Sequence, residues 1–478
     1  MTATAESNTS ATGTTTAKAS SSAANGSGTT PSSVFHRTLK TGLPMAIRGE
    51  GNYLYTASGA KILDASGGAA VVSIGHAVPE VVEAVTAQLG TLPYVSSALF
   101  GMQPAEDLAS QMCNDAGFGR AIFLTGGSEA VETAIKLCRQ YHVENGRPER
   151  TKFIAREISY HGNTLGALAL GRHDRRRKNF MPLLSTEFHA VSPCNAYRFK
   201  NAGDSDDAYV ARLAAELDAK ITELGADTVA AFFMEPIVGA AAGCVPFVPG
   251  YIRAMKAVCR KHGVLFCCDE IMCGLGRSGK LHAWQWDADP NSDGDDARPD
   301  VQTLGKGLCG GYAPLSAVLV APAVVDVFAR GTGAFVNGYT FQSSGMGTAA
   351  GLAVYNYIKK HGLVEQCRLR GQLLVRLLEE SVLPLPHVGS VRGNGLFIGI
   401  ELVQDKETKQ PYPYADKVAD KIGDAVLERG AAVYYGSGCA DGWEGDHIML
   451  CPPYTITEDE IVFLVEQVKA GIQEVLSE

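Results

Sequence analysis

Val264-Leu265-Phe266-Cys267-Cys268-Asp269-Glu270-Ile271 and Asp300-Val301-Gln302-Thr303-Leu304-Gly305-Lys306-Gly307, whose Lys306 comes thirty-seven residues after Asp269, are the two runs that decide the fold. Each is a short apolar run that stops abruptly at one charged side chain. Runs of this length and composition read as buried strands. Strands that deliver an acid and an amine at their carboxyl ends predict an open parallel sheet with a ligand site along that edge. Taken alone, an Asp and a Lys are more often a surface ion pair or a cap. The rest of the chain has to decide.

Outward from these runs, residues 105–320 alternate strand and helix. Strands are predicted at Ala121-Ile122-Phe123-Leu124, Phe153-Ile154-Ala155, Ala230-Ala231-Phe232-Phe233-Met234 and Val264 to Cys268. A helix is predicted from Tyr251 to His262, stopped by Gly263 at a C-cap position. The alternation predicts an α/β fold, a mostly parallel sheet covered on both faces. Beyond residue 345 the pattern becomes a smaller α+β region. It has a helix from Thr348 to Lys360, strands near Gly395–Ile400 and Ala432–Tyr435, and a last helix opening at Thr457. Residues 34–85 carry two short strands, Asn52–Tyr55 and Lys61–Asp64, then a helix opened by Pro79. The expected organisation is a disordered tail (1–33), an N-terminal segment contributing to the small domain (34–85), a large cofactor-binding domain (86–345) and a C-terminal small domain (346–478). The tail is Ser, Thr, Ala and Gly with a single basic residue, Lys18, before His36. A solvated tail is favoured there over a basic transit peptide.

The chain has 478 residues and a formal net charge of -9. That balance disfavours nucleic acid as a partner. Its tightest basic cluster, Arg172 to Lys178, reads as a solvated loop. No apolar run approaches membrane-span length. Twelve cysteines show no metal-ligand spacing, so no metal is expected, and they read as small buried residues of a reducing, cytoplasmic compartment.

Gly274-Leu275-Gly276-Arg277-Ser278-Gly279 matches the dinucleotide fingerprint letter for letter. However, Asp269 and Glu270 stand close by and no helix-opening pattern follows, so a turn-rich loop is predicted. Leu124-Thr125-Gly126-Gly127-Ser128 is a better phosphate site: a strand ends, two glycines turn, and a helix begins. Helix N-terminal N–H groups and a hydroxyl bind a dianion without a lysine, although Ser128 as a simple N-cap explains the same letters. Tyr160, in Ser159-Tyr160-His161-Gly162, could stack on an aromatic ring, or be a half-buried core tyrosine. Glu235-Pro236 ends another strand. Five strands thus end in polar groups on one sheet edge. A carboxylate on one side and a Schiff-base lysine on the other suit pyridoxal phosphate.

With Gly127-Ser128-Glu129-Ala130, Tyr160-His161-Gly162, Glu235-Pro236, Asp269-Glu270-Ile271, Lys306-Gly307, Gly338-Tyr339-Thr340-Phe341 and Arg392-Gly393-Asn394-Gly395, the chain resembles the class III aminotransferases. These are pyridoxal-phosphate enzymes of fold type I, and the resemblance runs from about residue 35 to the C-terminus. It implies that Lys306 forms the Schiff base and then serves as the proton-moving base. It implies that Asp269 pairs with the ring nitrogen, that Tyr160 and Ile271 sandwich the ring, and that Gly127 and Ser128 hold the phosphate. His161 and Glu235 would stand beside the cofactor, Glu235 helping to position Asp269. Thr340 would reach the phosphate of a neighbouring subunit, which implies a homodimer with shared sites.

Two departures stand out. Thr125-Gly126-Gly127 replaces the family's frequent Asn-Ser-Gly. Ornithine-type members carry a carboxylate-binding arginine where this chain has Met449, and no Arg or Lys occurs between Arg429 and Pro453. A clamp for a substrate carboxylate has to come from elsewhere, or the substrates do without one. Tyr94, Phe100 and Trp443 suggest a large apolar amine. The expected activity is transfer of an amino group from an amine or ω-amino acid donor to a 2-oxo acid. The alternatives are a decarboxylase, aminomutase, racemase or phospho-lyase on the same fold, or a silent scaffold.

Overall fold

In a computed structural model that describes residues 32–289 and 296–476, the apolar runs form one seven-stranded sheet. Its strands in chain order are β1 (Arg120–Leu124), β2 (Lys152–Arg156), β3 (Phe188–Val191), β4 (Val229–Met234), β5 (Leu265–Asp269), β6 (Val301–Leu304) and β7 (Ser316–Val320). They lie in the order β1-β7-β6-β5-β4-β2-β3. Pairing is parallel except at β7, which runs antiparallel to both β6 and β1. The carboxyl ends of β1, β2, β4, β5 and β6 therefore share one edge, the edge the sequence predicts.

Side-chain alternation explains why these runs are apolar throughout. Phe232, Met234, Phe266 and Cys268 pack on one face with residues of the helices Asp206–Leu224 and Tyr251–His262. Ala231, Phe233, Leu265 and Cys267 pack on the other with α1 (Gly127–Glu144). Each fully buried Phe contributes about 2–3 kcal/mol by area. The helix Tyr251–His262 ends at Gly263, φ 63°, a left-handed cap that glycine adopts without a Cβ penalty.

Val388–Asn394, Phe397–Asp405, Tyr434–Ser437 and Asp446–Leu450 form an antiparallel sheet. Lys61–Asp64 pairs in parallel with Ala431–Ala432, joining an early segment of the chain to a late one. Among the described residues, those from Ala46 onward group into one compact unit and those before Ala46 into another. The disordered tail predicted for residues 1–33 falls almost wholly outside the described residues. The Gly274–Gly279 segment is a run of turns, followed only by the short 3-10 turn Ala283–Trp286. Within it Arg277 is buried and donates to the carbonyls of Val72, Leu396 and Pro452. The loop fastens the large sheet to the C-terminal region.

The basic cluster corrects its sequence reading. Arg177 is buried, and Arg172, Arg175 and Arg176 are half-buried, so Arg172–Lys178 is not a solvated loop. Composition registers the charges but not the carbonyls and rings that receive them: Arg175 lies over Tyr414 and donates to Ser437 Oγ, while Arg176 donates to the Ala240 carbonyl.

Burial also sets a pH dependence. His282 is fully buried, and burial lowers its pKa to about 4. Between the unfolded value near 6.5 and about 4, the unfolded chain binds the extra proton, so this histidine's contribution falls as pH falls through that window. Glu270 and Asp446, raised by burial to about 8 and about 6, act in the opposite direction. A variant comparison isolates the histidine. The stability advantage of wild type over His282→Gln is expected to shrink by roughly 2 kcal/mol between pH 7 and pH 5. Urea midpoints at the two pH values measure this, and a constant difference contradicts it.

Candidate active site

β5 ends at Asp269, whose register partner on β6 is Thr303. Three residues later Lys306 opens a 3-10 turn at φ 45°. A left-handed lysine is uncommon and stores backbone strain of the kind concentrated at functional sites. Burial lowers the pKa of its amine and Arg176 pushes the same way, while Asp269 and Glu235 oppose them. A lowered pKa leaves more of the amine neutral and nucleophilic.

Asp269 is held at both oxygens. His161 Nδ1–H donates to Oδ2 at 2.8 Å, and Thr303 Oγ1 and the Ile271 N–H donate to Oδ1, each at 3.1 Å. The acid is thereby fixed in orientation. Glu235 lines the same cavity as Asp269 without a hydrogen bond to it. Instead its Oε1 accepts from the Tyr160 N–H at 3.0 Å and its Oε2 from the Gly239 N–H at 2.9 Å. It anchors the loop that carries Tyr160, and burial raises its pKa.

At the end of β1, Gly126 is the N-cap of α1, and Glu129 reaches back to the Gly126 N–H and the Thr125 hydroxyl. Ser128 is therefore not the cap. Its Oγ donates to Asn163 Oδ1 at 2.9 Å and accepts from the Asn163 N–H at 3.0 Å. The first N–H groups of an eighteen-residue helix have no intrahelical acceptor, which suits an anion. Bare backbone is needed here. A Cβ on Gly127 would stand 3.0 Å from Ile271, and one on Gly162, φ 142°, would stand 2.7 Å from Ser128 Oγ.

Lys306, Asp269, Tyr160, His161, Glu235, Ile271, Gly127 and Ser128 all line one cavity of about 220 Å³, joined by Gly162 and Met272. Thr340 does not line it. It is exposed, and its carbonyl accepts from Tyr94 Oη at 3.0 Å. Tyr94, Phe100 and Trp443 are also absent from the lining. Sequence reasoning named His161 without its bond to Asp269 and missed Thr303 altogether. The register of β6 against β5 was the only signal that could have placed Thr303.

The residues fit pyridoxal phosphate by their donor chemistry. The cavity offers an amine for an aldehyde, an anchored carboxylate for a ring nitrogen, an aromatic face, and the Gly127-Ser128 start of a helix for a phosphate. This fold and this cavity define a pyridoxal-phosphate enzyme of fold type I. Residues 37–472 match the family described as Aminotransferase class-III. The chain is 42% identical over 434 residues to an uncharacterized aminotransferase of Schizosaccharomyces pombe, covering 90% of this chain and 92% of that one. Among solved structures it resembles an (S)-enantioselective omega-transaminase from Thermomicrobium roseum (TM-score 0.85, 32% identity, 92% of this chain and 94% of that one). It also resembles an amine transaminase from an uncultivated Pseudomonas species in its PLP-bound form (TM-score 0.85, 31% identity, 94% of this chain and 99% of that one). The chain belongs to the class III aminotransferase family. It is a pyridoxal-phosphate-dependent aminotransferase that moves an amino group from an amine donor to a 2-oxo acid acceptor. Nothing in these likenesses supports the alternative chemistries or the silent scaffold.

Proposed function

We propose that Lys306 is the catalytic lysine of this aminotransferase and that Asp269 governs the charge of the cofactor ring. The observation that carries the reading is one buried cavity holding the Lys306 amine, the Asp269 carboxylate clamped at both oxygens, and the N-terminus of α1. Bound pyridoxal phosphate supplies an aldehyde that captures amines and a ring that accepts the charge left when a Cα proton departs. Lys306 would hold that aldehyde, and its amine would be the base that moves the proton at the substrate carbon. Asp269 would face the ring nitrogen and favour its cationic form. Tyr160 and Ile271 would flank the ring, Glu235 and His161 hold Tyr160 and Asp269 in place, and Gly127 and Ser128 would take the phosphate.

The active form is a homodimer in which Thr340 serves the partner's phosphate. Exposed Val336 and Phe341 on the same loop as Thr340, with exposed Tyr94 packed edge-on against Phe341, support this. Residues 86–345 form the cofactor domain, and 34–85 with 346–478 form the small one. The cytoplasm is the compartment, in keeping with twelve buried free cysteines. Among the described residues no helix is long and apolar enough to cross a membrane.

Holoprotein mixed with a panel of amines and ω-amino acids tests the reading. A donor alone converts the cofactor to its amine form, and pyruvate or 2-oxoglutarate restores it. Release of carbon dioxide, or no spectral conversion with any donor, overturns it. Ser128→Ala is expected to weaken cofactor retention about tenfold, the scale of one hydrogen bond to a charged group, measured by equilibrium dialysis against pyridoxal phosphate. Unaltered retention removes Ser128 from the phosphate site.

A further inference from the structure

Every 2-oxo acid carries a carboxylate, and burying that charge calls for a cation. The strand Asp446–Leu450 supplies none. Met449 is fully buried in an apolar cluster with Ala240 and Met272, and Met272 lines the cavity. A positive charge stands at the rim of this cluster, just outside the cavity lining. Arg176 Nη2 donates to the Ala240 carbonyl at 3.1 Å, and the guanidinium carbon lies 4.6 Å from the centroid of the Tyr160 ring.

The neighbours of Arg176 are engaged. Arg172 pairs with Glu157 at 3.6 Å, Arg177 with Asp174 at 3.6 Å, and Arg175 is tied to Ser437 and Tyr414. Arg176 has no carboxylate partner among the described residues, and its other nitrogens are not sealed from solvent. A half-buried guanidinium without a counter-ion, beside an aromatic ring of the cavity wall, is an incomplete ion pair. Its planar fork matches a carboxylate, and cation–π contact with Tyr160 holds it in position.

We infer that Arg176 binds the carboxylate of the 2-oxo acid acceptor, reaching the site from the short helix Asp174–Arg177 beside Tyr160 and not from the C-terminal strand. The inference rests on the aminotransferase reading and adds the residue that selects the acceptor. A carboxylate over Arg176 completes the ion pair, and Met272, the member of the apolar cluster that lines the cavity, receives the rest of the acceptor. Neutral carbonyl compounds gain only the apolar part of this binding.

The test uses holoprotein preconverted with an amine donor, as wild type, Arg176→Leu and Arg176→Lys. Single-turnover rates are measured with pyruvate and with propanal, a neutral carbonyl of similar size. Propanoate, an unreactive carboxylate, is titrated separately by calorimetry. Arg176→Leu is expected to lower the pyruvate-to-propanal ratio of rate over half-saturation by about 30-fold or more, the scale of losing one partner of a charged hydrogen-bonded pair. It should weaken propanoate binding by a comparable factor. Arg176→Lys should recover part of both, since it keeps the charge and loses the fork. An equal fall with both acceptors, with propanoate affinity unchanged, overturns the inference and leaves Arg176 as a support for Tyr160. Wild-type protein that no donor converts overturns the aminotransferase reading, and this inference with it. The two failures are therefore distinct.

Discussion

Lys306→Ala is expected to lower the rate of amino transfer by roughly 10⁴-fold while the protein stays folded and retains pyridoxal phosphate. The size follows from losing two functions at once. The amine that holds the aldehyde disappears, and so does the base that carries the proton, a contribution of about 10²–10⁴ by itself. Retention persists because the N-terminus of α1, Ser128 and Asp269 do not depend on the lysine. Small exogenous amines should restore part of the rate by diffusing into the space the side chain leaves. Stopped-flow spectra of the donor half-reaction, with and without methylamine, measure both effects. A variant within tenfold of wild type would remove Lys306 from the chemistry.

Asp269→Asn should cost about 10²–10³ in rate and shift the pH profile of kcat toward acid. An opposite charge at contact distance moves a partner's pKa by about one to three units, so the ring nitrogen without its counter-charge protonates only in more acidic solution. Asparagine fills the same volume and still accepts from Thr303 or Ile271, but one terminal group becomes a donor. The His161 Nδ1–H that now donates at 2.8 Å then faces another donor or must turn away. A merely structural aspartate would lower the rate without moving the profile. A drop smaller than tenfold with an unmoved profile contradicts the assigned role.

Much of this arrangement was legible because each strand carries its own signal. Phe232 and Phe233 must face opposite layers, and only a doubly covered strand buries both. The polar residues that end these runs then fall on one edge by topology alone. Ser316–Val320 is a clear apolar run too, yet its antiparallel direction is set by its neighbours β6 and β1, and no local pattern encodes it. The clamp on Asp269 was equally hidden, since His161 lies 108 residues away and the bond exists only once β2 and β5 stand in the same sheet.

Arg172–Lys178 shows the opposite failure. A run of four arginines and a lysine among seven residues reads as solvent-facing by composition, and the folded chain half-buries most of it against Tyr160, Ala240, Tyr414 and Ser437. Glu235 is legible as the polar end of its strand, but its bond to the Tyr160 N–H, 75 residues away, exists only in the folded sheet.

A covalent bond between Lys306 and the cofactor aldehyde is the central requirement of this site. Borohydride reduction of the holoprotein followed by peptide mapping tests it directly. The reduced cofactor is expected on the peptide containing Thr303-Leu304-Gly305-Lys306, with the label on Lys306. Label on any other lysine, or a holoprotein that borohydride leaves unlabelled, would contradict it.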